Sequence, residues 1–432
     1  MSAQARRHLL WTAVVGGLLL LLSFFSAGFF LYAALVAGGF ALATAVTLTS
    51  LLGLEVRRRL AESEIELGQA VEARLVVANR KELPAPWLFW EEKLENGLDV
   101  EGPKCAYKTL AAKEDAELVY RLHSLRRGLF RVGPAVVEAS GPFGLVRRFL
   151  VDRDVRFLTV LPKSVGLAGG WPLGHRPIHE IPRRRSLFED PTRFIGTRDY
   201  RPGDPLRRVH WRATARSRTI QVKLYEPAVL EGALVAVEMD AEAYPGLDLE
   251  AEAGDPRVEL TVTAAAAIVE LVLAGDQRAG LLANGSDAAE RYADWTGGSF
   301  RRLDDALEEA AVRRRAAVFR PLEVAPAQGA RQLARLRTAL ARLTPARGPA
   351  LPELLDVELP RLPRSLVLMV VTPRLDAALA GVTQTLRRSG IECAVVWTGA
   401  EPERAAAALP AGVPIYPVAG EADLERLGRR RL

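Results

Sequence analysis

Only two cysteines, Cys105 and Cys393, and five histidines occur among the 432 residues. Two such distant thiols cannot make a disulfide framework, so both are expected as reduced, buried side chains. The chain has no G-x-x-x-x-G-K-[ST] loop, no G-x-G-x-x-G fingerprint, no G-x-S-x-G elbow and no His-Glu-x-x-His helix. These absences remove the familiar routes to nucleotide hydrolysis, dinucleotide binding, and serine or zinc hydrolysis. His175 and His179 stand four apart, but Pro177 opposes the helix that would aim both at one metal, and Glu180 is the sole adjacent donor. No cofactor is expected.

Charge is also missing from one long stretch. Between Leu9 and Leu54 there is no Lys, Arg, Asp, Glu or His. One continuous helix of that length would reach roughly 69 Å at 1.5 Å per residue. A bilayer core is about 30 Å thick, so two spans are expected, near Leu9–Ser26 and Phe29–Leu51, broken at Ser26-Ala27-Gly28. A cleaved signal peptide has a shorter apolar core than this. Arg6, Arg7 and His8 precede the first span, and Arg57, Arg58 and Arg59 follow the second. Basic flanks stay in the cytoplasm, so both termini are expected there, with the chain in an inner membrane.

The net charge of +6 lies largely in separate arginine clusters, Arg57–Arg59, Arg183–Arg185, Arg313–Arg315 and Arg429–Arg431. Nucleic acid calls for a basic face with interleaved aromatics, so it is not an expected partner. Solvated faces and attraction to anionic lipid account for such clusters.

Beyond the anchor the chain is too long for one core, and an α+β multidomain body follows. Residues 1–59 form the transmembrane helical hairpin. Over 60–165, short apolar runs alternate with turn signals such as Asn96-Gly97 and Gly133-Pro134, which predicts a β-sandwich. Residues 166–230 read as a connector. In 231–432, apolar strands at 234–240, 278–284, 365–372 and 392–398 alternate with helices at 258–273, 330–343 and 376–388. That pattern predicts an α/β parallel-sheet domain covered on both faces, with Thr344–Pro363 as a surface excursion.

The densest chemistry lies in the connector: Arg198, Asp199, Tyr200, Arg201, Pro202, Gly203, Asp204, then Arg207, Arg208, His210, Trp211 and Arg216. Pro202-Gly203-Asp204-Pro205 is a turn by its chemistry. Arg207 to Trp211 reads as the start of a short helix that Asp204 can cap, and Thr219–Tyr225 alternates like a strand. The arginine excess suits an acidic partner surface, a phosphate or lipid headgroups, whereas a buried Trp211 and an Arg–Asp pair would suit a purely structural hinge.

The order Tyr200-Arg201-Pro202-Gly203-Asp204, Arg207-Arg208-Val209-His210-Trp211, Ala213-Thr214-Ala215-Arg216 and Val222-Lys223 resembles the DUF58 family of bacterial membrane-associated proteins. Arg127–Pro134 and Pro142–Leu145 are similar to that family's sandwich domain. The resemblance implies a von Willebrand factor A-like C-terminal domain and a MoxR-type AAA+ ATPase as partner. The metal-ion adhesion site of that fold uses Asp-x-Ser-x-Ser after the first strand. Here the residues are Asp240-Ala241-Glu242-Ala243-Tyr244, with Thr372 in place of a second acid. Asp240 is therefore a weak candidate, and no metal is expected.

The expected function is a membrane-anchored, non-enzymatic interaction or scaffold protein of the bacterial envelope. The alternative is a membrane-bound enzyme or ligand sensor for lipid or envelope precursors at the cytoplasmic face. It would place Arg201, Asp204, His210 and another carboxylate around a pocket.

Overall fold

A computed structural model describes residues 3–23, 27–141, 144, 146–167, 189–201, 206, 209–227, 231–248, 254–292, 297–311, 320–399 and 413–425. It is a mixed α/β protein with apolar N-terminal helices and several sheets. The chain divides into two compact units. The first comprises 1–125, 129–160 and 289–316, and the second comprises 126–128, 161–288 and 317–432.

Two helices come first, α1 (Ala3–Ser23) and α2 (Ala27–Ser50). Among the described residues one helical segment, Phe30–Ser50, is long and apolar enough to cross a membrane, with a mean hydropathy of 1.9. The first turns of α1 hold Arg6, Arg7 and His8, which shortens its apolar part to Leu10–Leu21.

Ten strands follow: β1 (Leu54–Leu60), β2 (Glu64–Glu66), β3 (Ala70–Asn79), β4 (Ala85–Leu94), β5 (Leu98–Glu101), β6 (Cys105–Leu110), β7 (Asp115–Ser124), β8 (Gly128–Ser140), β9 (Arg147–Val151) and β10 (Arg156–Leu161). One antiparallel sheet has the order β1-β3-β7-β5. In β7 every second residue is buried, the period expected where one face meets a core and the other meets water. Leu75 and Val77 of β3 and Leu118, Tyr120 and Leu122 of β7 share a core with Leu88 and Trp90 of β4, Val137 of β8 and Leu158 of β10. Cys105, expected to be buried, is exposed, because β6 pairs only with β4 and most of its residues face solvent.

The rest of the chain adds β11 (Glu189–Asp199), α3 (Trp211–Ser217), β12 (Gln221–Pro227), β13 (Gly232–Val237), α4 (Pro256–Ala274), β14 (Arg278–Ala283) and β15 (Ser286–Asp287). Next come β16 (Gly298–Phe300), α5 (Leu303–Ala310), β17 (Leu322–Ala327), α6 (Ala330–Arg342), β18 (Leu343–Thr344), α7 (Leu351–Glu358), β19 (Leu366–Thr372), α8 (Ala377–Arg388), β20 (Cys393–Trp397) and β21 (Ile415–Pro417). Although sequence reading assigns them to the C-terminal domain, β16 and α5 belong to the first unit. There β16 joins the unit's other sheet, ordered β16-β9-β8-β10-β2 with β4 also on β8, by pairing with β9, while Ala306 and Ala310 of α5 pack on Phe149 and Val151.

The second unit is built on a six-stranded sheet, β17-β14-β13-β19-β20-β21. All neighbours are parallel except β17 against β14. Every residue of β13 and β19 is buried, because helices cover both faces. Val235, Val237 and Met369 lie in the core of α4 and α6, whereas Leu234, Ala236 and Leu368 lie in that of α7 and α8. Asp255 caps α4, its Oδ1 accepting the Arg257 N–H at 2.8 Å, and Pro256 occupies the first turn, where a missing N–H costs nothing. The expected excursion over Thr344–Pro363 instead contains α7, with Leu351, Leu354 and Leu355 in the core, since leucines at i, i+3 and i+4 form one apolar stripe.

Candidate functional site

Strands β11 and β12 pair antiparallel, with Thr197 opposite Lys223, Arg198 opposite Val222 and Asp199 opposite Gln221. The pairing continues where the Tyr200 N–H donates to the Ile220 carbonyl at 2.8 Å. Val209 then bridges to Val222, and both are buried. The His210 N–H donates to the Gln221 carbonyl at 2.7 Å, which delivers the chain to the start of α3.

His210 caps α3. Its Nδ1 accepts the Ala213 N–H at 3.0 Å, a first-turn donor that the His210 carbonyl shares at 3.0 Å. That bond fixes Nδ1 as an acceptor. The helix ends at Arg218, in the left-handed region at φ 59°. Thr214 Oγ1 accepts the Gln221 N–H at 2.9 Å and ties the helix to β12. On the ribbon, Asp199 Oδ1 accepts from Thr219 Oγ1 at 3.3 Å and from the Gln221 side-chain amide, while Arg198 Nη1 donates to the Asp199 carbonyl at 3.1 Å.

No residue of α3 is buried. Trp211, which a structural hinge would place in a core, is 71% exposed, and Leu206 is 69% exposed. Arg212 and Arg216 are exposed on the same short helix. The ribbon therefore holds its polar groups in local hydrogen bonds and turns a tryptophan and two arginines outward. Pro202, Gly203, Asp204, Arg207 and Arg208 lie outside the described residues, as do His175 and His179.

The carboxyl edge of the six-stranded sheet holds a second polar group. Asp240 is buried after β13, and its Oδ1 accepts the Glu242 N–H at 3.3 Å. Glu238 Oε1 accepts from Asn284 Nδ2 at 2.7 Å and from the Leu351 N–H at 3.4 Å. Asn284 Oδ1 in turn accepts the Met239 N–H at 2.6 Å. Burial pushes the Glu238 carboxyl above its usual range, against the stabilising Asn284 bond. Thr372 Oγ1 donates to the Arg374 carbonyl at 3.0 Å and accepts the Arg374 N–H at 3.1 Å, so it is engaged within its own turn. Among the described residues no three His, Cys, Asp or Glu side chains come together as a metal site. Sequence reasoning passes over Glu238 and Asn284; an acid ending an apolar strand, next to Asp240, is the one signal for them.

No curated protein matches the chain. Among solved structures it is similar to the CARDB domain of PF1109 from Pyrococcus furiosus, at 14% identity over 25% of this chain and 94% of that one, with a TM-score of 0.18. It is similar also to a FixG-related protein from Vibrio parahaemolyticus, at 9% identity over 25% and 96%, with a TM-score of 0.18. The sporulation control protein Spo0M from Bacillus subtilis matches at 14% identity over 25% and 49%, with a TM-score of 0.16. Likenesses this weak carry no argument about fold or function. A family model described as "Protein of unknown function DUF58" matches residues 196–313. The chain thus carries a DUF58 family domain over those residues, from the end of β11 through α3, β12, β13, α4 and β14 to α5.

Proposed function

We propose that this chain is a membrane-anchored, non-enzymatic interaction protein that presents α3 to a protein partner, a MoxR-type AAA+ ATPase in a bacterial envelope. In this reading α1 and α2 are two spans with both termini in the cytoplasm, favoured by the uncharged stretch and its basic flanks. The first unit acts as a β-sandwich next to the bilayer, a reading supported by two sheets with a common core. The second acts as a von Willebrand factor A-like domain, supported by its sheet with helices on both faces and Asp240 after β13.

The observation that carries the proposal is the exposure of Trp211 on a helix without a buried residue, beside Arg212 and Arg216. Tryptophan and arginine are the side chains that most often dominate binding energy at interfaces. A solvent-facing tryptophan adds nothing to a core, and the local bonds of His210, Thr214 and Gln221 hold it in place. A photo-crosslinking residue at Arg212 or Ala215, activated in native membranes, tests this. The expected product is an adduct with an AAA+ ATPase. Adducts confined to lipid, or no adduct from either position, would refute docking through α3.

A further inference from the structure

The root of α2 is built into the first unit. Thr47 and Ser50 are buried, and Leu51 belongs to the core under the two sheets. Lys81 Nζ donates to the carbonyls of Thr49 and Ser50, both at 2.9 Å, and Arg148 Nη1 donates to that of Leu48 at 3.2 Å. These carbonyls lack partners within the helix and sit at the negative end of its dipole, so two cations from distant loops and strands complete the helix end. The remaining helix, Ala27 to Val46, spans about 30 Å at 1.5 Å per residue, the thickness of a bilayer core. The headgroup layer therefore lies level with the last turn.

At that level the protein surface is unusual. Leu52 is 60% exposed, and Leu83, two residues beyond Lys81, is 66% exposed. Nearby cations have carboxylate partners: Arg57 and Arg80 meet Glu55, Arg147 meets Glu138, and Lys113 meets Glu82. Lys81 and Arg148 form no ion pair among the described residues, and Arg148 Nε is buried without a hydrogen-bond partner. Long cationic side chains with apolar stems are suited to such a boundary, stem against hydrocarbon and head toward phosphate.

We propose that this rim is a docking surface for anionic phospholipid headgroups, with Lys81 and Arg148 holding phosphate while they cap α2, and with Leu52 and Leu83 entering the acyl boundary. The proposal rests on reading α2 as a span. It makes the first unit a membrane-apposed body, held flush against the bilayer by its own surface.

Spin labels on the full-length chain test it, in bilayers of phosphatidylcholine with or without phosphatidylglycerol. Cys105→Ser removes the exposed native thiol, and labels are then placed by Leu35→Cys, Leu52→Cys, Leu83→Cys and Lys104→Cys. The expected result is shielding from a water-soluble nickel chelate at 35, 52 and 83, with free access at 104. Access at 52 and 83 equal to that at 104, with 35 still shielded, would overturn the docking surface and leave the span intact. Access at 35 as well would overturn the span and the proposal together. Lys81→Gln and Arg148→Gln should each lower retained phosphatidylglycerol about fivefold, as expected for one basic residue at an anionic surface. Lys81→Arg and Arg148→Lys should retain it. Equal retention by the glutamine variants would remove these two cations from the assignment.

Discussion

Arg58, one of three arginines following α2, lies within the first unit, with a side chain out of contact with water. Its Nε and Nη2 donate to Glu92 Oε1 at 2.8 and 2.7 Å, and Nη2 reaches Asp152 Oδ2 at 3.1 Å. The Ala135 N–H donates to the same Asp152 oxygen at 3.1 Å. Gly133, at φ +93°, makes room for the guanidinium, since a Cβ there would sit 2.6 Å from Arg58 Cζ. One cation faces two carboxylates, and burial pushes Glu92 up to about 7 and Asp152 up to about 6. Arg58→Met would leave both acids without a counter-charge, at a cost of about 3–5 kcal/mol. Adding Glu92→Gln and Asp152→Asn should recover most of it, because the buried negative charge goes as well. Both carboxyls have folded-state pKa values above their unfolded ones, so between about pH 4 and 7 the folded protein binds more protons. Their contribution is present at the acid end of that window and is lost as pH rises through 6 to 7. The Arg58→Met penalty should therefore be smaller at pH 5.5 than at pH 8. Hydrogen-exchange protection of β4 and β8 amides in the full-length protein reads this without assuming a single unfolding step. A penalty below about 1 kcal/mol, or one independent of pH, would refute the reasoning.

Three further outcomes are expected. Glu238→Gln keeps an acceptor for Asn284 and Leu351 while removing a carboxyl that burial already disfavours, so protection of β13 at pH 8 should be unchanged or higher. Glu238→Leu leaves those donors unsatisfied and should lower it by about 1–3 kcal/mol. His210→Ala removes the cap of α3 and should speed exchange at Ala213–Ser217 by an amount equivalent to about 1 kcal/mol, with β13 and β19 unaffected; faster exchange in β19 as well would contradict this local role. Native protein should titrate one thiol with a water-soluble disulfide reagent and unfolded protein two. Cys105 is exposed, whereas burial pushes the Cys393 thiol up to about 12, and two fast thiols in native protein would contradict this burial.

Much of this fold is legible in the sequence wherever the governing physics is local. The apolar runs at β13, β19 and β20 show as unbroken hydrophobic segments because helices cover both faces. The single-sided burial of β7 shows as alternation, and Asp376 before α8 marks a cap that the structure contains, its Oδ1 accepting the Leu379 N–H at 2.8 Å. What pairwise packing decides is not legible. Arg58 looks like one of three surface arginines, yet its partners stand 34 and 94 residues away. The short strand β16 and α5 carry no mark of the unit they join, since three residues of strand have too little pattern to name a partner. At the candidate site the alternation of Thr219–Tyr225 is readable as the strand that becomes β12, but the exposure of Trp211 is not, because the indole is large and apolar and on average well buried.

The central claim is that α3 docks a protein partner, and affinity purification from native membranes with a tagged full-length chain tests it most directly. Wild-type protein and Trp211→Ala, the latter checked for unchanged exchange protection in β13 and β19, would be compared side by side. An AAA+ ATPase is expected with the wild-type chain and at least tenfold less with Trp211→Ala, as for loss of a hot-spot side chain worth about 2 kcal/mol. Equal recovery with both proteins, or no ATPase with the wild type, would contradict it.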